Sequence, residues 1–209
     1  MQGKLITLEG IDYSGKSTQA GKLYHYLRSR KLPAILIREP GGTRISEKIR
    51  EVLLSSRNHS LVSEAELLLY QAARAQLVSR VILPALRQGK IVVCDRFCDS
   101  TTAYQGYARG LDLNLIEKLN KFASSRIVPD LTILIDTPVE IALKRVRKAG
   151  KLQDRLESER LNFHKKVRNG YLAIAKGHPG RVKIIKGDQS IEKIWQKLKS
   201  TVDKFLKPR

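Results

Sequence analysis

The segment Gly10-Ile-Asp-Tyr-Ser-Gly-Lys-Ser17 fits G-x-x-x-x-G-K-[ST], and it lies between an apolar run, Leu5-Ile-Thr-Leu8, and a helix-compatible stretch that opens near Lys16. A strand that turns this tightly into a helix directs several backbone N–H groups inward, where they meet an anion together with the positive end of the helix dipole. Gly10 and Gly15 permit the turn because, lacking a Cβ, they reach backbone angles closed to other residues. The pattern assigns Gly10, Ile11, Asp12, Tyr13, Ser14, Gly15, Lys16, Ser17 and Thr18 to a polyphosphate cradle, with Lys16 reaching the β/γ-phosphates and Ser17 a ligand to Mg²⁺.

Strand-like and helix-like segments alternate through the rest of the chain, without low-complexity linkers or internal repeats. The strand candidates are Lys4–Glu9, Ala34–Arg38, Ile91–Asp95, Leu131–Asp136 and Val182–Ile185. Helical patterns cover Lys16–Arg30, Ser46–Leu54, Ser63–Gln88, Asp99–Tyr107, Asn114–Ser125, Pro138–Lys148, Arg155–Lys176 and Ser190–Leu206. Ser63 with Glu66 reads as a capping box, Gly89 as a C-terminal stop, and Thr137-Pro138 as a cap before a first-turn proline. Five short apolar strands separated by helices imply an α/β fold with a parallel sheet covered on both faces. Sites in such sheets lie at the carboxyl ends of the strands. There the chain reads Glu9-Gly-Ile-Asp12, Arg38-Glu-Pro-Gly-Gly42, Asp95-Arg-Phe97 and Asp136-Thr137. Asp95 suits a metal ligand, directly or through water, with Arg96 as a phosphoryl clamp; a helix cap or an Asp95–Arg96 ion pair is the plainer alternative. For Asp136, capping the next helix is at least as good a reading.

With 209 residues the chain suits one domain with a sizeable core. No apolar run approaches the ~18 residues of a membrane span, and the N-terminal residues read as a core strand, so a cytoplasmic protein with no membrane partner is expected. Cys94 and Cys98 lack a second Cys/His pair at zinc spacing and are expected to be reduced, partly buried thiols. The 40 Lys and Arg against 20 Asp and Glu, a formal net charge of +20, raise the possibility of nucleic acid. The basic residues are nonetheless scattered, without aromatic interleaving, so no specific nucleic-acid module is indicated; part of the excess serves substrate phosphates. A GTPase would carry N-K-x-D, whereas Asn120-Lys121 is followed by Phe-Ala. A small-molecule kinase leads.

The blocks Gly10–Thr18, Arg38-Glu-Pro-Gly-Gly-Thr43, Glu47-Lys-Ile-Arg50, Asp95-Arg-Phe-Cys-Asp-Ser100, Ala103-Tyr-Gln-Gly106 and Pro129-Asp-Leu-Thr132 together resemble the thymidylate kinase family, over nearly the whole chain. The phosphate loop alone is widespread, but the other blocks in this order and spacing are specific. The resemblance implies a P-loop NTPase, adenylate-kinase-like fold with a five-stranded parallel sheet of order 2-3-1-4-5 and helices on both faces. It also implies a homodimer that phosphorylates dTMP to dTDP with MgATP. Another pyrimidine nucleoside-monophosphate kinase, of UMP/CMP type, is the near alternative, and a basic P-loop protein binding nucleic acid the distant one.

Carried onto this chain, the resemblance implies that Asp12 approaches the acceptor 3′-hydroxyl and the metal waters. Glu39 and Pro40 border the acceptor, and Arg50 neutralises its phosphate. Tyr70 stacks on the base, core packing being the plainer reading, while Arg74, at i+4, donates to a base carbonyl. Arg96 bridges the two phosphates, Thr101 and Gln105 hydrogen-bond the base edge, and Tyr104 crowds the position of a ribose 2′-hydroxyl. The segment at about 147–156 resembles a flexible lid with Gly150 as hinge. Arg155 is the first candidate for a transition-state arginine and Arg147 the second; solvated helix-end charges are the alternative. Tyr13 departs from the family pattern, which has a small residue there, and whether its ring stacks, caps the lid or narrows the site stays open.

Overall fold

The computed structural model describes residues 3–150 and 152–207. Its strands are β1 (Lys4–Glu9), β2 (Ala34–Arg38), β3 (Ile91–Asp95), β4 (Leu131–Asp136) and β5 (Val182–Lys186), all parallel in the order β2-β3-β1-β4-β5. β1 sits at the centre, with Leu5 beside Val92 of β3 and Ile6 beside Leu131 of β4. Its hydrophobic run is continuous because helices cover both faces. On one face Ile6, Leu8 and Ile133 pack against Leu23 and Leu27 of α1 (Lys16–Ser29) and Leu198 and Val202 of α9 (Ile191–Leu206). On the other, Leu5, Val92 and Cys94 meet Leu77 of α3 (Ser63–Leu77) and Ile82, while Leu134 meets Phe163 and Val167 of α8 (Leu161–Gly177). Among the described residues no helix is long and apolar enough to cross a membrane.

The remaining helices are α2 (Arg44–Leu54), α4 (Leu83–Arg87), α5 (Cys98–Thr101), α6 (Leu113–Ala123) and α7 (Val139–Ala149). The expected helix 63–88 runs from α3 to α4 through a wider, π-type turn at Val78–Ile82, and Gly89, at φ 73°, ends it as expected. A second π-type segment, Thr102–Ala108, replaces most of the expected regular helix 99–107. Wide turns of this kind recur where side chains are aimed into sites.

Three local expectations are corrected. Ser63 already lies inside α3, no side chain caps that helix, and Glu66 turns into the protein interior instead. Before α7 the flanking residue is Pro138, and the Thr137 hydroxyl donates to the Ser14 carbonyl at 3.5 Å. The helix expected from Arg155 starts only at Leu161, because the Asp154 carboxylate accepts the N–H groups of Leu156 and Glu157, both at 2.9 Å. An aspartate that folds back on the backbone this way favours a turn over a helix.

Candidate active site

The phosphate loop closes β1 onto α1. Gly10 and Gly15 take φ of 145° and 96°, and a Cβ on Gly10 would stand 2.7 Å from the Ile135 carbonyl oxygen. Gly15 precedes α1 without any side-chain cap, so the helix start offers free N–H donors to an anion. Lys16 is buried, with Nζ 3.4 Å from the Ile11 carbonyl and 3.6 Å from Asp12 Oδ1. Burial and the Arg96 charge push its ammonium below the ordinary value, while Asp12, Asp95 and Glu9 oppose them. The Ser17 hydroxyl donates to Asp95 Oδ2 at 2.5 Å, and Asp95 Oδ1 is buried with no partner among the described residues. A hydroxyl beside a carboxylate with a spare oxygen fits Mg²⁺, which usually keeps several waters and phosphate oxygens as ligands. Among the described residues no cluster of three His, Cys, Asp or Glu makes an all-protein metal cage.

Arg96, at the end of β3, has φ 73°, a backbone region that costs a non-glycine residue energy and is held here by a dense set of partners. Its Nη1 donates to the Gly10 carbonyl at 3.0 Å, to Ser100 Oγ at 3.2 Å and to the Tyr171 hydroxyl at 3.0 Å. Its Nη2 donates to Asp12 Oδ1 and, at 3.0 Å, to the Tyr104 hydroxyl. Tyr104 in turn donates to Asp12 Oδ2 at 2.7 Å. Burial alone would raise the Asp12 carboxyl, but Arg96, Lys16 and these hydrogen bonds outweigh it and hold the group well below the carboxylate range. Behind Arg96 lies Glu9, fully buried, accepting from Phe97 N–H at 2.7 Å, Ser100 Oγ at 2.6 Å and the Tyr171 hydroxyl at 3.0 Å. Burial and the nearby Asp99 raise Glu9 to about 7.

Beside this cluster is a cavity lined by Pro40, Tyr70, Arg74, Thr101, Tyr104 and Gln105, among others. All of the expected acceptor residues reach it, together with Glu39, Arg50 and Arg96. Arg74 is almost wholly buried. Its Nε donates to Glu39 Oε2 at 2.8 Å, its Nη1 to Asn120 Oδ1 at 2.7 Å and Gln71 Oε1 at 3.2 Å, and its Nη2 to Thr101 Oγ1 at 2.9 Å. A guanidinium has five N–H donors, so one is left over. The phosphate cleft formed by Lys16, Ser17, Asp95 and the loop shares Asp12, Glu39, Arg50, Arg96 and Asp154 with this cavity. The two spaces therefore meet where Arg50 and Arg96 stand.

The lid arginines depart from expectation. Arg155 is buried, its Nε donating to the Leu53 carbonyl at 2.9 Å and its Nη2 paired with Glu66 Oε2 at 2.5 Å, so it lines neither cavity. Arg147 is exposed on α7 and also lines neither. The α7 arginine that lines the cleft is Arg145, whose Nη1 donates to the carbonyls of Tyr13 (3.1 Å) and Ser14 (3.2 Å) and whose Nη2 donates to that of Gly187 (2.8 Å). Helical period could have found it: Val139 and Ala142 are the buried face of α7, and position 145 continues that face whereas 147 turns away. Asp136 neither caps α7 nor faces the cleft; it is paired with Arg168 at 2.6 and 2.9 Å. Tyr13 takes φ 58°, and its ring lies on the cleft wall beside Glu157. Lys151, within the expected lid, lies outside the described residues. Cys94 and Cys98 are free, and burial pushes the Cys98 thiol up to about 12, so neither is a poised nucleophile.

A family model described as thymidylate kinase matches residues 8–198. The chain is 46% identical to a thymidylate kinase of Pelotomaculum thermopropionicum over 99% of its own length and 98% of that protein's, and 48% identical to one of Kosmotoga olearia over 96% and 94%. A crystal structure of thymidylate kinase from Ehrlichia chaffeensis superposes with a TM-score of 0.79 at 35% identity, covering 97% of this chain and 99% of that one. These matches span essentially the whole sequence, including every block that forms the two adjoining cavities, and the chain belongs to the thymidylate kinase family.

Proposed function

We propose that the family's reaction, phosphorylation of dTMP to dTDP, runs here as a direct in-line transfer from ATP bound in the phosphate loop to dTMP bound in the adjoining cavity. The observation that carries this reading is the meeting of the two spaces at Asp12, Arg50 and Arg96. Phosphoryl transfer asks little covalent work of a protein; alignment and charge neutralisation do most of it. An acceptor phosphate oxygen displaces ADP from the γ-phosphorus, with Lys16 on the donor side and Arg50 on the acceptor side. Arg96, oriented by Asp12, Tyr104, Ser100 and Tyr171, spans both. Mg²⁺ fits at Ser17 and Asp95, where it would neutralise charge on the donor phosphates. Tyr104, tied to Asp12, forms the floor of the sugar position, and Tyr70 offers the base a ring at the cavity wall. The comparisons do not favour a UMP or CMP kinase.

The segment at about 147–156, with Gly150 at φ 59° beyond the last turn of α7, serves as the lid over ATP. Arg145 ties α7 to the phosphate loop and is the first residue through which lid position and loop geometry couple. A homodimer finds surface on the neighbouring helices α3 and α6, which expose Leu68, Leu115 and Phe122; the compartment consistent with this reading is the cytoplasm. Turnover of dTMP, dUMP, UMP, CMP and AMP with MgATP tests the reading. The highest kcat/KM is expected for dTMP, and a dTMP value no better than those for UMP, CMP and AMP rejects it.

A further inference from the structure

Glu66 sits in the first turn of α3 with no solvent exposure, and no step above uses it. Its carboxylate accepts from Gln105 Nε2 at 2.7 Å and from Arg109 Nε and Nη2 at 3.3 and 3.2 Å, and it pairs with Arg155 Nη2 at 2.5 Å. The Arg109 and Arg155 guanidinium groups supply the pairing that a buried carboxylate needs. Both of its oxygens face donors and serve as acceptors. Gln105 must therefore turn its NH₂ toward Glu66, whichever way the amide would otherwise settle.

That orientation has a consequence for the base. Gln105 lines the acceptor cavity, and with its nitrogen side turned to Glu66 its carbonyl oxygen is the acceptor it has left to read a substrate; among the described residues no donor reaches that oxygen. On the same wall Arg74 is fixed by Glu39, Asn120, Gln71 and Thr101 with one N–H to spare. Two groups on this wall are thereby fixed, the Gln105 oxygen as an acceptor and the remaining Arg74 N–H as a donor. A pyrimidine with a 4-keto group supplies the matching pair, N3–H to donate and O4 to accept. A 4-amino pyrimidine supplies the reverse, a bare N3 and an NH₂, and would leave polar groups facing their own kind.

We propose that Glu66 is a positioning residue for base selection: by holding the Gln105 amide in one orientation it makes the cavity accept keto pyrimidines and refuse amino ones. This rests on the dTMP reading above. Sites built to hydrogen-bond a substrate edge reject mismatched edges strongly because their own buried groups go unpaired.

The test compares kcat/KM for dTMP and for 5-methyl-dCMP, which share an outline and differ only at N3 and the C4 substituent. Glu66→Gln can present either amide orientation to Gln105, so the preference for dTMP is expected to narrow about tenfold or more. Gln105→Ala is expected to narrow it as far, and adding Glu66→Gln to Gln105→Ala to change it no further. If Glu66→Gln loses its cooperative thermal transition, Glu66→Asp, which keeps the charge but withdraws it from Gln105, is read by the same ratio. Equal losses on both acceptors, or a preference untouched by Gln105→Ala, overturn the inference. Absence of dTMP turnover in the unmodified protein would instead reject the assigned reaction.

Discussion

Glu9→Gln probes the least comfortable charge in the site. Glu9 is fully buried, and burial and the Asp99 carboxylate raise it from 4.5 to about 7, against the opposing effects of the Ser100 hydroxyl, Arg96 and the Phe97 N–H. The shift corresponds to about 3 kcal/mol. Between pH 4.5 and 7 the folded protein holds a proton that the unfolded chain has released. This contribution to stability is therefore fully present below 4.5 and lost as the pH rises through 7. Glutamine has nearly the same shape, keeps an acceptor for the Phe97 N–H and never ionises. It is expected to stabilise the protein by about 1–3 kcal/mol at pH 8, with the advantage falling below about 1 kcal/mol near pH 5. Urea unfolding of both proteins at pH 5, 6, 7 and 8 measures the difference. Activity should move the other way. The glutamine NH₂ faces Ser100 and Tyr171, whose oxygens then turn their hydrogens toward the Arg96 guanidinium, so kcat is expected to fall about tenfold through poorer orientation of a transition-state donor. A stability difference that stays constant from pH 5 to pH 8 would show that Glu9 titrates in the ordinary carboxylate range and would refute the reasoning.

Lys16→Met should leave the fold intact and lower kcat about 10²–10³-fold or more, as loss of a preorganised donor does; unchanged turnover at saturating ATP would remove Lys16 from the donor site. Arg74→Met strands the buried Glu39 carboxylate and is expected to cost about 3–5 kcal/mol, measured by urea unfolding. Because burial already raises Glu39, protonation relieves the stranded charge, so the loss should be larger at pH 8 than at pH 5, and Glu39→Gln in the same chain should recover part of it. Strictly additive effects of the two substitutions would argue against the pair. Arg155→Met should lower Tm and raise KM for dTMP through the Glu66 network while kcat stays within about tenfold. A fall in kcat beyond about 100-fold with an unaltered Tm would return Arg155 to the transition state.

The strand positions and the phosphate loop were legible because both are local or nearly so, whereas the strand order came with the family resemblance. An apolar run, two glycines and a Lys-Ser pair specify the loop by backbone sterics and hydrogen-bonding need, and five apolar strands separated by helices leave few parallel topologies. The residues expected at the acceptor come from blocks that resemble a family, and the structure brings Tyr70, Arg74, Arg96, Thr101, Tyr104 and Gln105 around one cavity with Glu39, Pro40 and Arg50. Reading failed where a polar side chain had two equally good local uses. Glu66 satisfies the spacing of a capping box, yet Gln105, Arg109 and Arg155, from segments 39 to 89 positions away, draw it inside. Arg155 and Arg145 both suit a phosphate cleft by charge. Only packing decides that Arg155 is tied to Glu66 and the end of α2, while Arg145 reaches the loop carbonyls. What the sequence determined by itself is therefore the part governed by backbone geometry and short-range periodicity. Which buried charges pair was decided by tertiary structure, because the free energy of a charge in a low-dielectric interior depends on partners that no local pattern names.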